Sequence, residues 1–200
     1  MPSIAPHEPV RRGRGRPRSP GVEDAVLGAA RALLIEKGLA GCTIAAVAQR
    51  AGVGKGTIHL RWPDRESLVV DALGEVMVVV SEPDTGSVRG DLLAILDEVT
   101  ESLRGEGGPL LAATLSELPR YAKLRALYEE RVMMPVVAIV GEVVARATRR
   151  REIRKVNDIT LVTDMIFSPL IIRVLVRQQP IPAAMPGALV DTLLDGLRPR

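Results

Sequence analysis

Apolar residues recur along this chain at helical spacing almost from one end to the other. A first stripe runs from Val22 to Leu34 and stops at Gly38. Apolar residues spaced three and four apart form one face of an amphipathic α-helix. We find no convincing alternation of apolar and polar residues, which would mark a half-buried strand. The pattern therefore predicts an all-α protein.

Helix start and stop signals divide the segment after Gly38 into short elements. Thr43 can cap a short helix that Gly52 ends, and a second short helix is expected from Gly54 to Trp62. Pro63 should end that helix, and Asp64 can cap a longer one. Further helical stripes are predicted over residues 92–103, 109–118, 120–150, 159–176 and 186–197. Pro135 and Pro169 lie inside two of these, where proline starts or kinks a helix.

The composition restricts the core and the cellular compartment. Apolar residues make up 46% and aromatic residues only 2% of the 200 positions, so the core should be aliphatic. The single cysteine, Cys42, excludes an internal disulfide and a cysteine-cluster metal site. No uninterrupted apolar run approaches the roughly 20 residues needed to span a bilayer, and the N-terminus does not resemble a signal peptide. We expect a cytoplasmic protein without membrane, metal or cofactor.

Charge is distributed unevenly along the chain. Through Arg65 there are eleven Lys and Arg residues against five Asp and Glu, whereas the rest has sixteen against nineteen. Residues 1–18 hold five arginines with almost nothing apolar to bury, which is typical of a flexible basic arm. A basic N-terminal third on a mildly acidic body indicates a module that binds a polyanion.

The segment from Gly38 to Leu73 meets the physical demands of a helix-turn-helix. Two short helices are joined by a glycine turn, and the first has small residues where the second would cross it, at Ala45, Ala46, Ala48 and Ala51. Val53, Ile58 and Trp62 can point inward. The outward residues would then form a short, polar and basic face suited to a major groove, namely Lys55, Thr57, His59, Leu60 and Arg61.

Residues 43–59, TIAAVAQRAGVGKGTIH, resemble the signature of the TetR (tetracycline-repressor-like) family of transcriptional regulators, and 62–68, WPDRESL, resemble its tail. The resemblance spans about 35 residues and is weaker towards the C-terminus. It departs at three positions, since the family usually has Tyr at His59, Phe at Trp62 and Lys at Arg65. The resemblance implies DNA contacts, to base edges or phosphates, for Thr43, Lys55, Gly56, Thr57, His59, Leu60, Arg61 and Arg65. The alternative for each is a solvated position on a helix face.

The basic arm carries a second candidate DNA element. Residues 14–18, RGRPR, resemble the core of an AT-hook, in which Gly and Pro keep the backbone extended while arginines enter a narrow minor groove. This makes Arg14, Arg16 and Arg18 candidate minor-groove contacts. A disordered basic tail has the same composition, so that alternative stays open.

The resemblance also divides the chain. It implies a helix-turn-helix domain over 19–66 and a helical ligand-binding and dimerisation domain over 67–200. The last two helical segments would pair with those of a second copy, although they could instead complete the monomer core. A cavity among the middle helices would bind a small effector, and the scarcity of aromatics favours an apolar one. Candidate lining residues, each of which could equally belong to the core, are Leu115, Met133, Met134, Val137 and Phe167.

Three other patterns are weaker evidence for a functional site. Residues 52–57 superficially resemble a phosphate loop, but the spacing puts Gln49 where glycine is required, and no strand precedes it. His7 and His59 are the two histidines, and neither has a nucleophile or ligand cluster around it, which argues against an enzyme. The arginine-rich run 146–155 could be a second nucleic-acid patch or a solvated helix end.

The sequence thus predicts a sequence-specific, nucleoid-associated regulator. The resemblance implies a homodimeric repressor that binds a palindromic operator in double-stranded DNA and is released by a small molecule. The alternative is a ligand-independent architectural protein that uses the AT-hook-like arm and binds DNA with little sequence preference.

Overall fold

The computed structural model describes residues 20–77 and 82–198, and all regular structure in these ranges is helical. This confirms the predicted all-α fold. The helices are α1 Pro20–Gly41, α2 Ile44–Ala51, α3 Lys55–His59, α4 Arg65–Gly74, α5 Val88–Arg104, α6 Gly107–Leu115, α7 Ala122–Tyr128, α8 Met134–Arg149, α9 Ile159–Ile171 and α10 Met185–Gly196. Two π-helical turns, Glu129–Met133 and Ile172–Val176, precede α8 and follow α9.

Helices α1 to α4 form the N-terminal part of the fold. The buried face of α1 begins at Val26 rather than at Val22, which is exposed. Gly38 breaks the helical backbone as predicted, with φ 63° and ψ −172°, but a last turn continues beyond it to Gly41. Helix α1 contacts α2 and α4 and also α6 of the C-terminal part, so it lies between the two halves of the fold.

The two internal prolines lie beside the two π-helical turns. Pro135 is in the first turn of α8, directly after the turn Glu129–Met133, and Pro169 lies inside α9, shortly before the turn Ile172–Val176. Proline has no N–H to donate to the preceding turn, so the regular α-helical hydrogen-bond pattern cannot continue through it. The predicted stripe over 120–150 is accordingly divided into α7, a π turn and α8.

A buried carboxylate fastens the start of α5 to its surroundings. Asp91 is 1% exposed and accepts hydrogen bonds from the backbone N–H of Thr85 at 2.7 Å and from its hydroxyl at 2.8 Å. Arg146 of α8 lies 3.4 Å from the same carboxylate and also donates to the carbonyl of Pro83. Glu152 accepts from the first N–H of α5, at Val88, with a distance of 2.6 Å.

Helix α9 and the π turn after it expose a row of large apolar side chains. Leu161, Met165, Ile172 and Val176 are 55%, 54%, 48% and 75% exposed. Among the described residues, the 18 residues from Ile159 to Val176 are long and apolar enough to cross a membrane by length and composition alone. Exposed apolar patches of this kind usually mark a surface that contacts another molecule.

We expect Asp91→Ala to lower the free energy of unfolding by about 3 kcal/mol, because the substitution removes a buried charged acceptor and leaves its donors unpaired. Urea denaturation followed by circular dichroism measures the change. Asp195→Ala is the matched control, since Asp195 is exposed and its ion pair with Arg198 should be worth little. Equal stabilities of the two variants would contradict the conclusion that Asp91 holds the start of α5 in place.

Cys42, between α1 and α2, should be chemically inert in the folded protein. Its side chain is fully buried, its thiol donates to the carbonyl of Ala30 at 3.7 Å, and burial raises its pKa to about 11. At pH 8 the group is therefore a thiol rather than the reactive thiolate. We expect no reaction with a thiol reagent until urea unfolds the chain, whereas Ala45→Cys, at an exposed position, should add one thiol that reacts at once.

Candidate nucleic-acid interface

The turn between α2 and α3 is built by local hydrogen bonds. The hydroxyl of Thr43 accepts from the N–H of Ala46 at 3.1 Å and caps α2, as predicted. At the other end Gly52 adopts φ 67°, in the left-handed region that glycine enters without strain. The N–H of Val53 then donates to the carbonyl of Ala48 at 3.0 Å. Helix α3 begins two residues later, so the two helices are joined by a tight turn.

Helix α3 is anchored by two side chains and exposes the rest. Ile58 and Trp62 are 0% and 3% exposed, and Val53 is half-buried, which agrees with the predicted inward positions. The α-helix ends at His59, earlier than predicted, but the N–H of Trp62 still donates to the carbonyl of Ile58 at 2.9 Å. The residues predicted to face outward are all exposed, namely Lys55, Thr57, His59, Leu60 and Arg61, and Gly56 is exposed with them.

One small residue of α2 lies on a different face from the one expected. Ala48 is buried, and Ala46 and Ala51 pack against the core, whereas Ala45 is exposed. Helix α2 is held to α1 by an exposed ion pair in which Arg50 donates to both carboxylate oxygens of Glu36 at 2.7 and 2.6 Å. Hydrogen bonding from Arg50 lowers the pKa of Glu36 below its usual value.

Two of the arginines predicted to contact DNA, Arg61 and Arg65, have protein partners in the structure. Arg61 pairs with Glu23 of α1, and its guanidinium carbon lies 5.6 Å from the centre of the Trp62 ring. Arg65, half-buried, donates to Glu66 at 3.0 Å and lies 5.3 Å from the ring of Tyr121. Arg61 remains on the exposed face, whereas Arg65 would have to leave these partners to reach a phosphate.

Polar contacts that the sequence did not predict join α4 to the C-terminal helices. The indole N–H of Trp62 donates to Asp71 of α4 at 2.9 Å, and the other oxygen of Asp71 accepts from Arg131 at 2.8 Å. Lys123 of α7 pairs with Asp64, the cap of α4. Partial burial raises the pKa of Asp64, but the pair with Lys123 and the hydrogen bonds from the backbone N–H and hydroxyl of Ser67 outweigh it and lower that pKa below its usual value. No sequence signal links Arg131 to Asp71 or Lys123 to Asp64, because 60 and 59 positions separate these partners.

Two cavities border the helices. The first, about 380 Å³, lies between the N-terminal helices and the π turn before α8, and is lined among others by Leu27, Asp71, Met77 and Arg131. The second, about 330 Å³, lies between α9 and α10. The five residues predicted to line an effector pocket border neither of these two cavities. Leu115, Met133, Val137 and Phe167 are half-buried and Met134 is 52% exposed.

The remaining candidates lie elsewhere. Arg14, Arg16 and Arg18 are outside the described residues. In the basic run 146–155, Arg146 is tied to Asp91 and Arg150 donates to Asp84 at 2.8 Å, while four further basic side chains are exposed, at Arg149, Arg151, Arg154 and Lys155. Within 20–77 and 82–198, no three His, Cys, Asp or Glu side chains are grouped closely enough to bind a metal ion.

Known proteins resemble this chain over nearly its whole length. Residues 26–72 match the model described as bacterial regulatory proteins of the tetR family, and 82–193 match the tetracyclin repressor-like C-terminal domain. The chain is 29% identical to the HTH-type transcriptional regulator YdeS of Bacillus subtilis (strain 168) over 186 residues, covering 92% of this chain and 94% of YdeS. It is 28% identical to the HTH-type transcriptional regulator AqdR of Rhodococcus erythropolis, covering 92% and 88%.

Solved structures have the same architecture. The crystal structure of the TetR family transcription regulator SCO0332 is 32% identical in sequence and superposes with a TM-score of 0.68, covering 89% of this chain and 99% of that one. The fatty acid degradation regulator FadR from Bacillus halodurans, at 21% identity, shares the fold with a TM-score of 0.70, covering 92% and 100%. With a helix-turn-helix at one end and both family domains matched, the chain belongs to the TetR family of transcriptional regulators.

Proposed function

We propose that this regulator is a homodimeric repressor that places α3 of each copy in the major groove of a palindromic operator and releases DNA when a small molecule binds. The observation that carries this proposal is the division of residues 55–62 into two buried anchors and an exposed polar face. A helix held in this way by Ile58 and Trp62 can present its other side chains to base edges without rearrangement of the domain.

The individual roles follow from position. Lys55, Gly56, Thr57, Leu60 and Arg61 lie on the exposed face and would contact base edges or nearby phosphates. Thr43 and His59 would contact the backbone, and a histidine donates to phosphate more strongly when it is protonated. Arg65 would do so only after leaving Glu66 and Tyr121. The arm residues Arg14, Arg16 and Arg18 would enter an adjacent minor groove.

The apolar face of α9 supports the homodimer. One helix-turn-helix reads too few base pairs to compete with genomic DNA, whereas two placed roughly 34–36 Å apart read both halves of a palindrome. Leu161 and Met165 are more than half exposed on α9, beside the cavity that α9 forms with α10. A second copy packed on this face would remove that surface from water, which accounts for its apolar character in a cytoplasmic protein.

The effector would act by preferring one arrangement of the dimer. A ligand changes operator affinity only as far as its affinity differs between the DNA-binding and released states. We place its pocket in the domain 67–200 and the DNA-binding domain at 19–66. We expect an apolar effector, with Leu115, Met133, Met134, Val137 and Phe167 as candidate contacts. Titration of operator complexes with apolar compounds tests the switch, and a chemically broad set without effect would count against it.

Selection of bound sequences from a random duplex pool tests operator recognition first. We expect a palindrome that persists when residues 1–18 are deleted, with any flanking AT preference lost. The same experiment tests the architectural alternative, which the family relationship does not favour. Binding without an enriched palindrome, or binding that disappears with the arm, would support that alternative.

We expect Lys55→Ala to weaken operator binding about tenfold, which corresponds to about 1.4 kcal/mol. If Lys55 contacts a phosphate, its loss should also reduce the slope of log affinity against log salt concentration by about 0.9. If it contacts a base, its loss should relax the sequence preference. Fluorescence anisotropy with a labelled operator measures both. Lys37→Ala removes the same charge from an exposed site on α1; if it weakened binding equally, the groove assignment of α3 would be wrong.

We expect Met165→Glu to convert the dimer to a monomer, because it places a charge in an apolar contact between copies. Sedimentation velocity should give half the mass, and operator affinity should fall with it. Ile35→Glu makes the same change at an apolar residue that is 42% exposed on α1, and should leave the mass unchanged. A dimer that survives Met165→Glu would place the interface elsewhere.

A further inference from the structure

Trp62 has a polar requirement that a phenylalanine at this position would lack. Its ring is 3% exposed, yet its indole N–H needs an acceptor, because an unpaired buried donor is unfavourable. Asp71 supplies that acceptor at 2.9 Å. Trp62 ends the helical turn that follows α3, so this hydrogen bond fixes the end of the proposed recognition helix to α4.

The carboxylate of Asp71 is itself oriented by the C-terminal half of the protein. One of its oxygens accepts from Trp62, and the other accepts from Arg131 at 2.8 Å. A carboxylate that is bonded through both oxygens has little freedom to rotate, so the position of Arg131 determines the direction in which Asp71 meets the indole. We call the three side chains Trp62, Asp71 and Arg131 the relay.

The relay crosses a region that is not filled by packed side chains. The cavity of about 380 Å³ between the two halves is lined among others by Arg61, Asp71, Arg131, Val132 and Pro135. Where apolar side chains interlock, packing alone fixes how two helices meet. Beside this cavity, directed polar contacts have to supply part of that orientation.

Arg131 is carried by a helical segment with unusual geometry. It lies in the middle of the π turn Glu129–Met133, which contacts α4 and is followed by Pro135. A π turn holds one more residue than an α turn, and one residue corresponds to about 100° of rotation around the helix axis. Regularising this turn would therefore move Arg131 away from Asp71, so the π turn is needed for the contact.

We propose that Asp71 and Arg131 are positioning residues for DNA binding. They fix the angle of α3 through the indole N–H of Trp62. Operator affinity therefore depends on the π turn of the C-terminal domain. This inference rests on the proposed role of α3 as the recognition helix. Neither Asp71 nor Arg131 needs to touch DNA. Two neighbouring contacts, Lys123 with Asp64 and Tyr121 with Arg65, hold the start of α4 in the same way.

A double-mutant cycle on operator affinity tests the relay. Trp62→Phe keeps the buried ring but removes the N–H, and Arg131→Gln removes the charge at the other end. We expect each to weaken operator binding about fivefold and the double variant to weaken it no further, because both changes break one connected path. Arg131→Lys should recover part of the loss. Arg125→Gln, at an exposed arginine of α7, is the charge-matched control and should bind as the unaltered protein does.

Fluorescence without DNA provides a readout that a general loss of stability would not change. Trp62 is the only tryptophan, so the emission reports on the surroundings of this one indole. Arg131→Gln should shift the emission maximum at a temperature where circular dichroism shows both proteins folded, and Arg125→Gln should not. The relay would be overturned if the losses of operator affinity in the two single variants added up in the double variant. It would also be overturned if Arg131→Gln changed neither the Trp62 emission nor the operator affinity. If the unaltered protein selected no operator, both the proposed function and the relay would fail. If the unaltered protein binds its operator and Arg131→Gln binds it equally well, only the relay is overturned.

Discussion

The DNA-reading end of this protein depends on the burial of Ile58 and Trp62. A helix of five residues is too short to be stable in water by its own hydrogen bonds, so α3 exists because these two side chains are part of the core. Their burial also decides which residues remain outside. The same physical event therefore forms the helix and creates the exposed face that Lys55, Thr57 and Arg61 share.

Helix α4 connects that end to the rest of the molecule. Its cap Asp64 contacts Lys123 of α7, its first residue Arg65 contacts Tyr121 just before α7, and Asp71 contacts Arg131 of the π turn before α8. These are partly exposed polar contacts, which individually contribute little stability but depend strongly on direction. Such contacts hold α4 in a defined direction relative to α7 and the π turn.

The C-terminal half combines a set of polar contacts at the start of α5 with an exposed apolar face on α9. Asp91, Arg146 and Glu152 fasten the start of α5 to the end of α8, which fixes the body of the domain. Helix α9, in contrast, leaves Leu161 and Met165 in water. A domain that is well ordered internally but exposes one apolar face is organised as one would expect for half of a dimer.

Local chemistry determined most of what the sequence predicted correctly. Helix caps at Thr43 and Asp64, the break at Gly52 and the inward positions Ile58 and Trp62 all depend on residues within one or two turns of each other, so they can be recognised in the sequence alone. Periodicity was less informative in the stripe over 120–150, where the π turn interrupts the helix without changing its apolar character.

Only the tertiary structure determined which charges meet. The pairing of Asp71 with Arg131, the stacking of Arg65 on Tyr121 and the ion pair of Arg61 with Glu23 join positions that are distant in the chain. Each side chain looks like an ordinary solvated residue in its own helix, and several alternative partners lie within its reach. The choice among them follows from how the helices dock, because an ion pair forms only where packing of the apolar faces brings its two charges within a few ångströms.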